Sequence, residues 1–227
     1  MCNRHFALPL ILEMLFVSLA AAAPEVVMRD LSLDRALVLD ENASYRLTNV
    51  SVAGLTDCAA LTLAGRINSI ILERCSFGRV YAGSEGKAAG MECAGAVVSR
   101  LSASDTSFFD CHNQLACLKD GSFGKVTFER CRFSTSPEFL KRIYDENSWR
   151  TWPPMTEFYN IDRLELLDNE FVNTMVVIHP SVKQVVLRGE IPGLQIVNQQ
   201  STQVVRLTPG QKPDSIAMPK VEVVASR

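Results

Sequence analysis

The sequence predicts an all-β fold, a parallel β-solenoid of about seven coils with one helical insertion. Three observations carry this: an apolar pattern at strand spacing that repeats along the chain, polar turns between the copies, and an aliphatic, aromatic-poor composition. Of the 227 residues, 47% are hydrophobic but only 7% aromatic. Such a chain builds its core from many small aliphatic contacts. Twelve Gly and ten Pro exclude collagen-like and low-complexity chains. Lys+Arg 23 against Asp+Glu 25 leaves a formal charge of −2, without the basic excess of a nucleic-acid binder.

The repeat is read most directly from four copies. Ile67, Ile70, Leu72, Cys75 and Phe77 recur as Phe123, Val126, Phe128, Cys131 and Phe133, and again as Ile161, Leu164, Leu166, Asn169 and Phe171. Val98, Leu101, Ala103, Thr106 and Phe108 form the fourth copy, and Glu73-Arg74-Cys75 returns as Glu129-Arg130-Cys131. One spacer between apolar residues puts both on the same strand face, whereas two spacers imply a bend. The second apolar position gives anchors at Tyr45, Ile70, Leu101, Val126, Leu164, Val185 and Val205, at intervals of 25, 31, 25, 38, 21 and 20 residues. No isolated unit of that size can bury its inner face, so successive units must stack. A leucine-rich repeat would need a fixed Leu and Asn framework, and an immunoglobulin-like sandwich would not repeat Glu-Arg-Cys in alternate units.

Residues 1–22 read as a secretory signal. Arg4 and His5 precede an apolar run from Phe6 to Leu19, interrupted by Glu13, and Ala20 to Ala23 supply small residues for a cut after Ala22. An uncleaved anchor and a buried helix are the alternatives. The expected location is secreted, periplasmic or cell-surface, with no membrane span after cleavage. Cleavage removes Cys2 and leaves Cys58, Cys75, Cys93, Cys111, Cys117 and Cys131. An even count in an exported chain permits disulfides, and without a C-x-x-C arrangement no metal site is expected. Residues 23–41 read as an N-terminal cap, a strand or short helix over the open end of the stack, and 211–227 as a proline-punctuated tail. Asn42 and Asn49 begin glycosylation sequons.

Over residues 42–210 the repeat resembles the right-handed parallel β-helix superfamily typified by pectin-lyase-like proteins. The resemblance implies a single-stranded right-handed β-helix, in which Val50, Cys75, Thr106, Cys131 and Asn169 would stack as an inward corner ladder. Cys75 and Cys131 would then lie two coils, about 9.6 Å, apart and beyond bridging reach. Cys93 and Cys117 lie eight and nine residues before successive anchors and become the expected disulfide.

Two intervals exceed the period, and extra length in a solenoid projects as loops. Residues 81–95 are Gly- and Ala-rich and read as a turn. The 134–158 insertion holds both tryptophans, with Ser136 as N-cap and Pro137 at the first helical position of a short helix that Pro153-Pro154 closes. Tyr144, Trp149, Arg150 and Trp152 form the candidate ligand set, because sugars stack their apolar faces on aromatic rings while polar groups hold their hydroxyls. The competing reading has Phe139, Ile143 and one Trp clamping the insertion onto the solenoid. For catalysis, only His112 and His179 follow the signal, and both read as structural. Asp105, Asp110 and Asp120 invite comparison with the carboxylates of the superfamily's enzymes, but their linear motifs are absent, and Asp105 and Asp110 read as solvated turn residues. The expected function is therefore an exported, monomeric binding or structural surface module without a cofactor, its partner a polysaccharide or a surface protein and not nucleic acid. A polysaccharide lyase, glycoside hydrolase or epimerase with dispersed residues is the first alternative, and an adhesin-like surface protein the second.

Overall fold

The computed structural model describes residues 24–40, 42–83, 86–146, 152–197 and 201–213. The 1–22 segment and most of the 211–227 tail lie outside them. Sixteen strands join a single sheet that curls round an axis, and every strand pair among the described residues is parallel. This arrangement is compatible with a parallel β-helix.

The strands fall into three rows. In the first, β1 (Glu25–Leu33) pairs with the start of β3 (Ser44–Thr56), and β3 with the end of β4 (Ala59–Glu73). The row continues through the ends of β6 (Ala89–Ser104) and β8 (Gln114–Glu129) to β11 (Ile161–Leu167), β14 (Gln184–Arg188) and β16 (Gln203–Arg206). Its register aligns Tyr45, Ile70, Leu101, Val126, Leu164 and Val185, the anchors of the repeat.

Register defines both ends. Val26 pairs with Tyr45, and β2 (Leu37–Leu39) pairs with β4, so the segment read as a capping strand or short helix takes the form of strands in the same sheet. At the other end Val185 faces Val204, not Val205. A slip of one residue exchanges the two faces of a strand. Val205 accordingly packs with Leu167, Val186 and Leu207 in a small apolar cluster separate from the main core.

The second row comprises the end of β3, β5 (Ser76–Tyr81), β7 (Ser107–Cys111), β9 (Arg132–Ser134) and β12 (Glu170–Val172). The third contains β2, the starts of β4, β6 and β8, then β10 (Met155–Phe158), β13 (Met175–Ile178) and β15 (Leu194–Ile196). Inside the second row the repeat phenylalanines Phe77, Phe108, Phe133 and Phe171 stack face to face, with successive centroids 5.7, 5.1 and 4.9 Å apart. Each such contact contributes about 0.5–1.5 kcal/mol beyond burial.

Between the first and second rows the chain turns on one residue at each level. Asp30, Asn49, Arg74, Asp105, Arg130 and Asp168 all have φ between 50° and 55°, and Gly189 ends the column at 88°. A left-handed backbone at a residue bearing Cβ costs about 1–2 kcal/mol. Contacts along the column offset it: Asn49 donates to Asp30 at 2.8 Å, Arg74 to Asn49 at 3.0 Å, Arg130 to Asp105 at 2.8 and 2.9 Å, and Arg188 to Asp168 at 2.7 Å.

The next residue at each level points inward, and the expected ladder of Val50, Cys75, Thr106, Cys131 and Asn169 is buried throughout. Here the side chains satisfy backbone groups that the turn takes out of strand pairing. The Cys75 amide donates to Thr106 Oγ1 at 3.2 Å and the Cys131 amide to Asn169 Oδ1 at 2.8 Å. Asn169 Nδ2 in turn donates to the Phe128 carbonyl at 2.9 Å. Both thiols reach back to carbonyls of the adjacent level, Cys75 to Leu47 and Cys131 to Ala103.

Replacing Asn169 by Leu strands two buried backbone groups at once. Unfolding in urea is expected to show a loss of about 2–4 kcal/mol. The corner ion pair gives a pH signature of defined sign. Arg130 holds the Asp105 carboxyl below its ordinary pKa by hydrogen bonding. A lowered folded pKa means stability present above the unfolded value of about 3.9 and lost as pH falls through the folded one. Asp105→Asn should be less stable than the parent at pH 7 by under about 1 kcal/mol, as befits an exposed pair. Denaturation curves at descending pH should show that gap closing below about pH 4.

Candidate functional site

The outer face of the second row is built from repeat positions that the core does not constrain. The residue before each stacked phenylalanine points out, so Ser76, Ser107, Arg132 and Glu170 stand in one column. The residue after it also points out, giving Gly78, Phe109, Ser134 and Val172 in a second column. A methyl group at Gly78 would collide first with the Phe109 backbone carbonyl and then, at 2.7 Å, with a Phe109 ring carbon. Glycine at this position therefore lets the neighbouring backbone approach closely and leaves room for the half-buried Phe109 ring beside it.

Around that ring runs a groove of about 490 Å³, lined by Ser76, Ser107, Asp110, Arg132, Ser134, Ser136 and Val172 and walled by Pro137. The wall belongs to the insertion, whose helix α1 (Pro137–Glu146) begins where the sequence predicts. Ser136 caps it, accepting from the Phe139 amide at 3.4 Å, while the Ser136 amide donates to Asp110 Oδ1 at 2.7 Å. Asp110 thus ties the insertion to the level before it. Arg132 pairs with Glu170 at 3.2 Å, both well exposed. The groove joins hydroxyls, one ring and balanced charge.

Among the described residues the insertion is held by two members of the clamp offered as the competing reading, Phe139 and Ile143, without the tryptophan that reading included. Phe139 and Ile143 are buried, Phe139 packs on Tyr81 at 5.3 Å, and the Arg142 guanidinium sits 4.6 Å from the centre of the Tyr81 ring. Of the expected ligand set, Trp149 and Arg150 lie outside the described residues. Tyr144 is half-buried on α1 and Trp152 is exposed, and neither lines the groove. Phe109, which does, carries no unusual signal in the sequence: it is one of eleven phenylalanines. What could have found it is its place next to the repeat Phe, opposite a glycine in the neighbouring copy.

The expected Cys93 to Cys117 disulfide is not formed: all six cysteines described are free. Register is the reason. Cys93 aligns with Leu63 and joins the apolar core, whereas Cys117 aligns with Glu92 and Glu157 and lies outside that cluster. The two sulfurs belong to opposite faces of the third row. Burial, with Glu157 nearby, pushes the Cys117 thiol up to about 11, and burial pushes Cys131 up to about 12, so neither is a ready nucleophile. His179 stacks on Tyr159 at 4.1 Å, and His112 is buried. Asp105 is held in the corner column. Among the described residues no group of three His, Cys, Asp or Glu converges as a metal would need, and no helix is long and apolar enough to cross a membrane.

No protein-family model, curated protein or solved structure matches this chain.

Alkylation under denaturing, non-reducing conditions followed by mass measurement should add one group for every cysteine in the chain. A product two groups short would show that one pair is bridged after all.

Proposed function

We propose that the curled sheet is a right-handed parallel β-helix of about seven coils, exported as a monomer, which binds a saccharide in the second-row groove. The observation that carries this reading is the half-buried Phe109 ring beside Gly78, flanked in the groove by the hydroxyls of Ser76, Ser107 and Ser134. A sugar ring has an apolar face of C–H groups and a rim of hydroxyls. Phe109 offers a flat partner for the face, while Ser76, Ser107, Ser134 and the Asp110 and Arg132 charges offer partners for the rim. The groove volume is within the range of small-molecule sites, about 300–1,000 Å³. Its balanced charge favours a neutral saccharide over a polyanion. Export rests on the composition of residues 1–22.

The test is a glycan array probed with the mature protein, followed by calorimetry on the best ligand. Phe109→Ala should weaken binding about tenfold, a loss of about 1.4 kcal/mol, while leaving the melting temperature nearly unchanged. Trp152→Ala, outside the groove, should change affinity less than about twofold. Binding that ignores Phe109, or no bound glycan, would overturn the reading. Turnover of the captured glycan would instead make the protein a carbohydrate-active enzyme.

A further inference from the structure

The first coil of the stack consists of β1 in the first and second rows and β2 in the third, and among the described residues each pairs with one strand only, β3 and β4 respectively. One edge of β1 is thus open. The Pro24 carbonyl accepts from the Ser44 amide at 2.8 Å, and β1 keeps unbroken register with β3 from Glu25 to Arg29. Backbone groups of successive strand residues point to opposite sides, so Pro24, Val26 and Met28 face β3 while the amides and carbonyls of Glu25, Val27 and Arg29 face the open edge. Such a row is a template for a further strand.

The side chains along that edge are complementary to themselves. Val26 and Met28 align with Tyr45 and Leu47 on the inner face, where they pack against the core yet stay half-buried. Glu25, Val27 and Arg29 stand on the outer face, all exposed. The order is acid, three apolar residues, base, with Val27 at the centre. An antiparallel copy centred on Val27 sets Glu25 opposite Arg29 twice, Val26 opposite Met28 twice and Val27 opposite itself. The same register closes hydrogen bonds in both directions at every outward-facing pair, about six in all. Moving the centre to Met28 sets Arg29 opposite Val27, and moving it to Arg29 sets that residue opposite itself. Both lose the ion pairs, and like charges directly opposite each other destabilise a sheet. Arg46 reaches Glu25 through Oε1 alone, at 3.4 Å, which leaves Oε2 for a second cation. Beyond Arg29 the chain turns at Asp30, with a φ of 53°, and the residue opposite it would be Pro24, which has no amide to satisfy.

We propose that the folded protein pairs with a second copy of itself through β1, as an antiparallel two-fold dimer centred on Val27. A two-fold contact uses the same patch on both partners and closes at two. It carries the first row of one stack into the next and covers Val26 and Met28 with their counterparts. The exported monomer thus closes its open end by pairing once it has folded. Because no residue of β1 lines the Phe109 groove, the dimer stands whether or not that groove binds sugar.

The experiment is sedimentation equilibrium of the mature protein from micromolar to millimolar concentration, which is expected to show a reversible monomer to dimer transition. Val27→Pro removes an amide that faces the edge and not β3, so it should leave the melting temperature nearly unchanged. It should weaken dimerisation by about tenfold or more. Charge tests the register. Glu25→Arg sets two arginines opposite each other, and Arg29→Glu sets two glutamates opposite each other, so each variant alone should stay monomeric while an equal mixture of the two should dimerise again. Fluorescently labelled Glu25→Arg should bind Arg29→Glu at least about tenfold more tightly than it binds Arg66→Glu, which carries the same charge change at an exposed arginine elsewhere. A parent that stays monomeric throughout, dimers that Val27→Pro leaves intact, charge variants that fail to restore each other, or growth beyond two copies would each overturn the proposal.

Discussion

Everything in this fold depends on a single residue per level that turns the chain between the first and second rows with a left-handed backbone. Because the turn takes one residue each time, the strands on either side keep a constant phase, and equivalent side chains fall into columns. Asp and Asn adopt that conformation readily, as at Asp30, Asn49, Asp105 and Asp168. Arg74 and Arg130 do not, and each instead reaches the shorter polar side chain at the preceding level. Most of the column is thus tied level to level, Asn49 to Asp30, Arg74 to Asn49 and Arg130 to Asp105, while Asp168 is held by Arg188 beside the column's last residue.

From that constraint the interior follows. The residue after the turn must face inward, where its level's amide has lost its strand partner, and so Thr106 and Asn169 serve Cys75 and Cys131. Two residues further on the phenylalanines coincide and stack. An aromatic-poor chain has in this way brought four of its rings into one column, where the inner two, Phe108 and Phe133, each stack on a ring at either side.

The interior was legible in the sequence because burial repeats the same demand at every level. Anchors from Tyr45 to Val185, the corner ladder and the capped helix at Ser136-Pro137 could all be read from spacing and residue type. What could not be read was whatever depends on phase to within one residue. Cys93 and Cys117 looked adjacent by counting, yet an offset of one residue places them on opposite faces. Val204 displaced Val205 for the same reason. The outer faces were less legible still, since no periodic demand acts on them. Phe109 and Gly78 lie in different copies of the repeat, and only the finished register brings them together.

The six unbridged cysteines carry a consequence for how the protein must be made. Export through an oxidising compartment, the route that residues 1–22 suggest, normally turns cysteines into permanent links. Here the six described thiols are unpaired in the finished sheet, so oxidation contributes no link among them to the native state and works only to trap the chain on the way to it. Thiol pairing takes seconds to hours, whereas strands of a small domain close far sooner. On that proposed route folding is a race that the sheet must win, and burial then protects the sulfurs of Cys75, Cys93, Cys111, Cys117 and Cys131, while Cys58 stays half-buried.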